Sequence, residues 1–157
     1  EKEFKSRGHE VSFFDLKEKE IPPVGNRTYR DDEKPVPEDI QVFSEEVEDA
    51  DGIVIVFPEY NHSIPGILKT TLDYLYPEYE DKPFSTISVS GGGFGGVRGL
   101  SHLHDIIHEI GGFVGPNIPI SNVGSIFSGE GELQDEEYEE RFGNFVENSV
   151  EFVERME

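Results

Sequence analysis

The sequence predicts an α/β domain: a parallel sheet with helices on both faces. Three observations carry that expectation. The run Gly52-Ile53-Val54-Ile55-Val56-Phe57 is continuous and β-branched, as in a strand buried on both faces. Apolar runs of this kind alternate along the chain with stretches of helical periodicity, which implies right-handed crossovers between parallel strands. Glycines and prolines fall between these segments rather than inside them. At 157 residues the chain suits one domain, residues 1–157, with one core and no internal repeat.

The elements follow in order. Residues 1–7 read as the end of a helix with Gly8 as its left-handed stop. Residues 9–16, with Val11, Phe13, Phe14 and Leu16, read as a strand. Residues 17–37 are rich in proline and charge and lack a periodic apolar pattern, so they form a connection. From about Pro37 to Ala50, Ile40, Phe43 and Val47 are spaced three and four apart, the inner face of a helix. The buried strand then ends at Pro58, which cannot donate to a ladder, and Pro65 is preset for the first turn of a helix reaching about Tyr76. Residues 84–90 form the next strand and lead into Gly91-Gly92-Gly93-Phe94-Gly95-Gly96. A helix from about Val97 to Ile110 passes through Gly111-Gly112 to a strand at 113–120. A last helix, about Asp135 to Met156, carries Tyr138, Phe142, Phe145, Ser149, Phe152 and Val153 as core positions. The chain has no initiator Met and opens inside a helix with no strand before it. That absent strand would be central in such a sheet, so the sequence reads as a fragment lacking its first strand and first strand-to-helix loop.

The chain has 34 acidic residues against 13 basic ones, a formal charge of −21. The acids are spread through nearly every polar segment. Such a surface repels nucleic acid and anionic lipid, and neither is expected as a partner. The pattern suits high salt, where screening removes self-repulsion; an ordinary acidic cytosolic protein is the alternative. Zero cysteines exclude disulfides, thiolate metal sites and a Cys nucleophile. No apolar stretch approaches the ~20 residues needed to span a bilayer, and no signal peptide is visible, so a cytoplasmic location is expected.

Chemistry is expected in the loops at the carboxyl ends of the strands, where open α/β sheets bind ligands. In residues 58–66, Tyr60 offers a flat face, Asn61 a donor and an acceptor, and Glu59 and Ser63 further polar atoms. That inventory suits a planar heterocycle with alternating donors and acceptors on one edge; the bland alternative is a turn whose Asn61 and Ser63 satisfy the backbone. Gly91-x-Gly93-x-x-Gly96 spells the dinucleotide fingerprint between a strand and a helix. That fingerprint needs an acid about 20 residues on, and residues 111–128 contain none. The glycines instead permit close approach to a flat ligand, or merely a tight turn. His104 and His108 lie four apart without an evident third metal ligand, so a solvated helix face is expected. Lys69 suits a surface ion pair. Arg98, just after the glycine loop, could meet an anionic substrate, a pyridine nucleotide's phosphates or one of the many carboxylates.

The segment Pro58-Glu59-Tyr60-Asn61-His62-Ser63-Ile64-Pro65-Gly66-x-Leu68-Lys69, followed by Leu72-Asp73-Tyr74 and then Ser90-Gly91-Gly92-Gly93-x-Gly95-Gly96, resembles the NAD(P)H-dependent FMN reductase family, with its related quinone, chromate and azo-dye reductases. The resemblance runs from about Val11 to the last helix. It implies a flavodoxin-like, doubly wound parallel sheet, bound FMN with NADPH or NADH as co-substrate, a small-molecule electron acceptor, and a homodimer or tetramer. It also implies flavin-binding positions at Pro58, Glu59, Tyr60, Asn61, His62 and Ser63 in one loop. In the other loop they are Ser90, Gly91, Gly92, Gly93, Phe94, Gly95 and Gly96. The family's Gly-Ser-x-Arg phosphate loop has no counterpart in this sequence. Because the cofactor carries the chemistry, no catalytic side chain is expected. An FMN-binding electron carrier fed by a protein partner is the reading from another class, and a flavin-less remnant is a third.

Overall fold

The computed structural model describes residues 1–29 and 35–156; residues 30–34 of the expected connection, and residue 157, lie outside the described residues. Helix α1 (Lys2–Ser6) stops at Gly8, whose φ of 91° is the left-handed conformation expected there. Helix α2 (Glu38–Asp49) opens after Pro37 and lays Ile40 and Val47 into the core. Then come β1 (Ile53–Pro58), α3 (Gly66–Leu72), β2 (Pro83–Val89), α4 (Val97–Glu109) and β3 (Phe113–Ile120). A short α5 (Val123–Ile126) precedes α6 (Glu136–Glu154), capped by Asp135, whose carboxylate accepts from the Tyr138 N–H at 3.2 Å.

The three strands are parallel, in the order β1-β2-β3. Their register aligns Pro58 with Val89 and Val89 with Ile120. The three following loops therefore leave the sheet from one row. Among the described residues strand β3 is an edge, where Pro116 and Pro119 are tolerated; around Gly115 and Pro116 it carries an extra residue, so that Phe84 faces Val114 but Thr86 faces Asn117. One face of the sheet, with Ile55, Phe57 and Phe84, packs on Leu68 and Leu72 of α3 and Leu103 and Ile107 of α4. The other face, with Ile87, Val89, Ile118 and Ile120, packs on Phe142, Phe145 and Val146 of α6. Helices thus cover both faces.

Three expectations are corrected. Residues 9–15 are irregular and Leu16 opens a 3₁₀ turn (Leu16–Glu18), so there is no strand: a strand exists only where a neighbour completes its hydrogen bonds, and no described strand lies beside them. Phe14 stacks on Phe43 of α2 at 4.9 Å, while Phe13 is 69% exposed. Strand β1 is not buried on both faces. Val54 and Val56 are 40% and 61% exposed; α6 packs mainly on β3 and β2, and its Val153 meets the chain at Gly52, before β1 begins. The helix after Pro65 ends at Leu72 rather than near Tyr76. Tyr74 is committed elsewhere: its hydroxyl lies 3.0 Å from the Pro22 carbonyl and its own carbonyl accepts from the Thr28 N–H at 3.1 Å.

The Tyr79 ring is fully buried beside Phe84 at 5.9 Å, and its hydroxyl has no hydrogen-bond partner among the described residues. Burial pushes its pKa well above the ordinary value, with the charges of Glu78 and Asp73 adding to the effect. An unpaired buried hydroxyl costs about 1–3 kcal/mol, and deleting it leaves only a small void. Tyr79→Phe should therefore stabilise the protein by roughly 1 kcal/mol, read as a higher urea midpoint at unchanged m-value. A lower midpoint would show that the hydroxyl has a partner.

Candidate functional site

The loop after β1 is built on a two-residue left-handed turn. Tyr60 N–H donates to the Ser63 carbonyl at 2.9 Å and Ser63 N–H returns a bond to Tyr60 at 3.0 Å. Between them Asn61 and His62 hold φ of 50° and 62°. Asn tolerates that region and His does so at a cost of about 1–2 kcal/mol. The turn throws Tyr60, Asn61 and His62 into solvent, and the Asn61 side chain has no hydrogen-bond partner among the described residues. Strain and an unpaired amide coincide on the residues that the sequence singled out.

Glu59 joins this loop to the next. Its Oε2 accepts from the N–H groups of Arg98 at 3.1 Å and Gly99 at 3.0 Å, capping α4 from 39 residues upstream. Helix α4 needs that carboxylate because its own N-cap, Gly96, has no side chain. The start of α4 presses closely on the first loop: a Cβ at Gly99 would lie 3.0 Å from the Ser63 carbonyl oxygen.

The glycine loop divides by role. Gly95 and Gly96 are buried at positive φ (61° and 78°), and the Ser88 hydroxyl donates to the Gly95 carbonyl at 2.7 Å. A Cβ at Gly95 would lie 2.8 Å from that of Pro119. These two glycines serve packing against β2 and β3. Gly91, Gly92 and Gly93 are exposed, and a Cβ at Gly91 or Gly93 would meet nothing within 4 Å. Their backbone borders open space.

A third loop, missed by the sequence reading, supports this backbone from the end of β3. Asn122 N–H donates to the Gly92 carbonyl at 2.9 Å and the Ser121 hydroxyl to the Gly93 carbonyl at 3.1 Å. Asn122 is itself left-handed, with φ of 50°. An Asn two residues beyond a strand's last apolar residue was the available signal. The Ser90 hydroxyl accepts from Gly92 N–H at 3.0 Å and fixes the entry to the loop.

The other candidates fall on α4 and α3. His102, also missed, brings Nδ1 to 3.1 Å from the Ser63 hydroxyl. His104 turns toward the sheet, with Nε2 3.4 Å from the Thr86 hydroxyl. Burial lowers its pKa, the neighbouring His108 lowers it further, and Asp105 opposes. Lys69 pairs with Asp73 at 2.6 Å, the surface ion pair expected. The Arg98 guanidinium lies over the Phe94 ring at 5.1 Å and makes no ion pair among the described residues. Phe94 is 68% exposed.

The family pattern for NADPH-dependent FMN reductases matches residues 1–124. The chain belongs to that family. It is 35% identical over 82 residues to a subunit of NADH:(hydroxy)cinnamate reductase from Vibrio ruber, covering 50% of this chain and 41% of that protein. Against a quinone reductase of Escherichia coli it is 39% identical over 79 residues, covering 48% and 42%. The chain thus spans less than half the length of these two relatives. A solved flavoenzyme from Paracoccus denitrificans, the NAD(P)H:acceptor oxidoreductase FerB, superposes with a TM-score of 0.67 at 23% identity, over 76% of this chain and 70% of that one. The fold is flavodoxin-like. Among the described residues no helix is long and apolar enough to cross a membrane.

Proposed function

We propose that this member of the family is an NAD(P)H-dependent flavin oxidoreductase, passing reducing equivalents from NADPH or NADH through FMN to a flavin, a quinone or another small acceptor. The observation that carries the reading is the Glu59 bridge. It locks two loops from adjacent strand ends together while the Asn61 amide has no partner among the described residues and the space beside Gly91 and Gly93 stays open.

A flavin ring fits those residues. Its polar edge needs both donors and acceptors, which Asn61 supplies, and its flat face needs backbone without side chains, which Gly91, Gly92 and Gly93 supply. Pro58, Tyr60, His62 and Ser63 complete the rim on the first loop and Ser90 on the second. The Glu59 carboxylate, Gly95 and Gly96 hold the frame rather than the ring. When bound, FMN supplies the two-electron relay, so the side chains need only bind, orient and exclude water. The test is rapid mixing of the FMN-loaded protein with NADPH without air. Bleaching within seconds, reversed by adding a quinone, is expected; a flavin that stays oxidised would point to an electron carrier served by a protein partner.

The reading extends to a homodimer or tetramer working in the cytoplasm, beside the pyridine nucleotide it would consume, and to adaptation to salt. With 34 acids against 13 bases, self-repulsion should fall as the Debye length shrinks from ~10 Å at 0.1 M to ~3 Å at 1 M. The thermal midpoint should rise clearly with KCl over that range. A flat or falling midpoint would remove the salt-adaptation reading.

A further inference from the structure

Resting on the function proposed above, we infer that Ser121 is a positioning residue for the flavin's reduced form. Its hydroxyl, through the Gly93 carbonyl, aims two backbone N–H groups of the glycine loop at the flavin site. Two peptide planes carry the argument. The Gly92 carbonyl accepts from the Asn122 N–H at 2.9 Å and the Gly93 carbonyl from the Ser121 hydroxyl at 3.1 Å, so both point toward the loop after β3. Among the described residues no peptide bond is cis, and in a trans peptide the N–H points opposite to the C=O. The N–H groups of Gly93 and Phe94 therefore point away from residues 121 and 122. The glycine loop follows the middle strand of the order β1-β2-β3, so the loop after β1 lies on its other side. Neither N–H has a hydrogen-bond partner among the described residues, and both residues are exposed.

Ser121 can aim the loop because it is itself held. Its N–H donates to the hydroxyl of Tyr138, on the first turn of α6, at 3.3 Å. The Arg141 guanidinium lies over the Tyr138 ring at 4.2 Å and donates to the Pro119 carbonyl at 3.1 Å. Helix α6 thus fixes residues 119–121, and these fix Gly93. Glycines have a wide choice of φ and ψ, so without such bonds the peptide planes of Gly92 and Gly93 can rotate. Reduction needs them fixed. A hydride from NAD(P)H adds two electrons, one proton and one negative charge to FMN. Donors preset toward the place where charge develops favour the reduced form without reorganising, and they add less to binding of the neutral ring. Ser121 and Tyr138 act through the loop rather than by touching the ring.

The test measures the reduction potential of FMN bound to the whole chain, by equilibration with a reference dye, beside the affinity for oxidised FMN. Ser121→Ala should lower the ratio of reduced to oxidised affinity about tenfold, the scale of one charge-assisted hydrogen bond, which for a two-electron couple is about 30 mV. Its urea midpoint should stay near that of the wild type, because the Ser121 side chain is partly exposed. Ser121→Thr, which keeps the hydroxyl, should recover most of the potential, and Tyr138→Phe should lower it by a smaller amount than Ser121→Ala. In the flavin-free protein, Ser121→Ala should also lower the NMR order parameters of the Gly93 and Phe94 amides. A potential unmoved by Ser121→Ala, or an equal loss of affinity for both redox states, overturns the inference and leaves the oxidoreductase reading intact. So does Ser121→Thr behaving as Ser121→Ala. A wild-type chain that binds no FMN overturns both readings.

Discussion

Gly95→Ala should destabilise the protein by roughly 2–5 kcal/mol, whereas Gly93→Ala two residues away should change stability by less than about 1 kcal/mol. Gly95 is buried at a φ of 61°, and an added Cβ would lie 2.8 Å from the Pro119 Cβ and 3.1 Å from its carbonyl carbon. Backbone atoms cannot swing aside as a flexible side chain can, so either β3 or the loop must move. The left-handed penalty of about 1–2 kcal/mol adds to an overpacking cost of about 1–3 kcal/mol. At Gly93 the new methyl would meet nothing within 4 Å, and no positive φ is required. Its cost should appear in flavin affinity instead, because that open space is where the ring is expected to lie. Urea melts and flavin titrations of the two variants separate these effects. Equal loss of stability in both would show that the loop has no division of labour.

Asn61→Leu should weaken FMN binding about 5- to 150-fold and also cost about 1–2 kcal/mol of stability, because Leu lacks the tolerance of Asn for the left-handed φ of 50°. The substitution keeps size but removes a donor and an acceptor whose partners in the described structure are absent. A flavin edge left unpaired in a partly closed site costs roughly 1–3 kcal/mol, which converts to that range of dissociation constants. Fluorescence titration reads it directly, and an unchanged constant would remove Asn61 from the contact. His62→Gly provides a control on the turn: relief of the strain at φ 62° should hold or raise stability without supplying the missing polar groups.

Much of this frame was legible in the sequence, for reasons that are local. The β-branched run ending in Pro58, with Pro65 opening a helix, carries its own punctuation, and the structure places β1 and α3 there. Leu100, Leu103 and Ile107 betray α4 by their spacing. What the sequence hid depends on partners. Residues 9–16 have the apolar content of a strand but find no ladder among the described residues. Val54 and Val56 read as core because composition cannot say that α6 packs mainly on β3 and β2. The helix ending at Leu72 reflects Tyr74 bonding to Pro22 and Thr28, about 50 residues away.

At the site, the polar and glycine residues were visible, yet their division of labour was not. Glu59 looked like a ligand group, and its carboxylate caps a helix 39 residues downstream. Ser121 and Asn122 carried no motif, and they support the glycine loop only because Ile120 aligns with Val89 in the sheet. Arg98 could be suspected from its position, but the bond from its backbone N–H to Glu59 could not.

The central claim is that flavin binds across the loops that follow β1 and β2. Titration of isotope-labelled protein with FMN, followed by amide chemical shifts, tests it most directly. The account expects the largest shifts at Asn61, His62, Gly91, Gly92 and Gly93, smaller ones at Ser121 and Asn122, and none at the opposite end of the sheet. Shifts centred instead on the acidic hollow formed by Glu48, Asp49, Asp51, Asp81 and Lys82, at the amino ends of the strands, would contradict it.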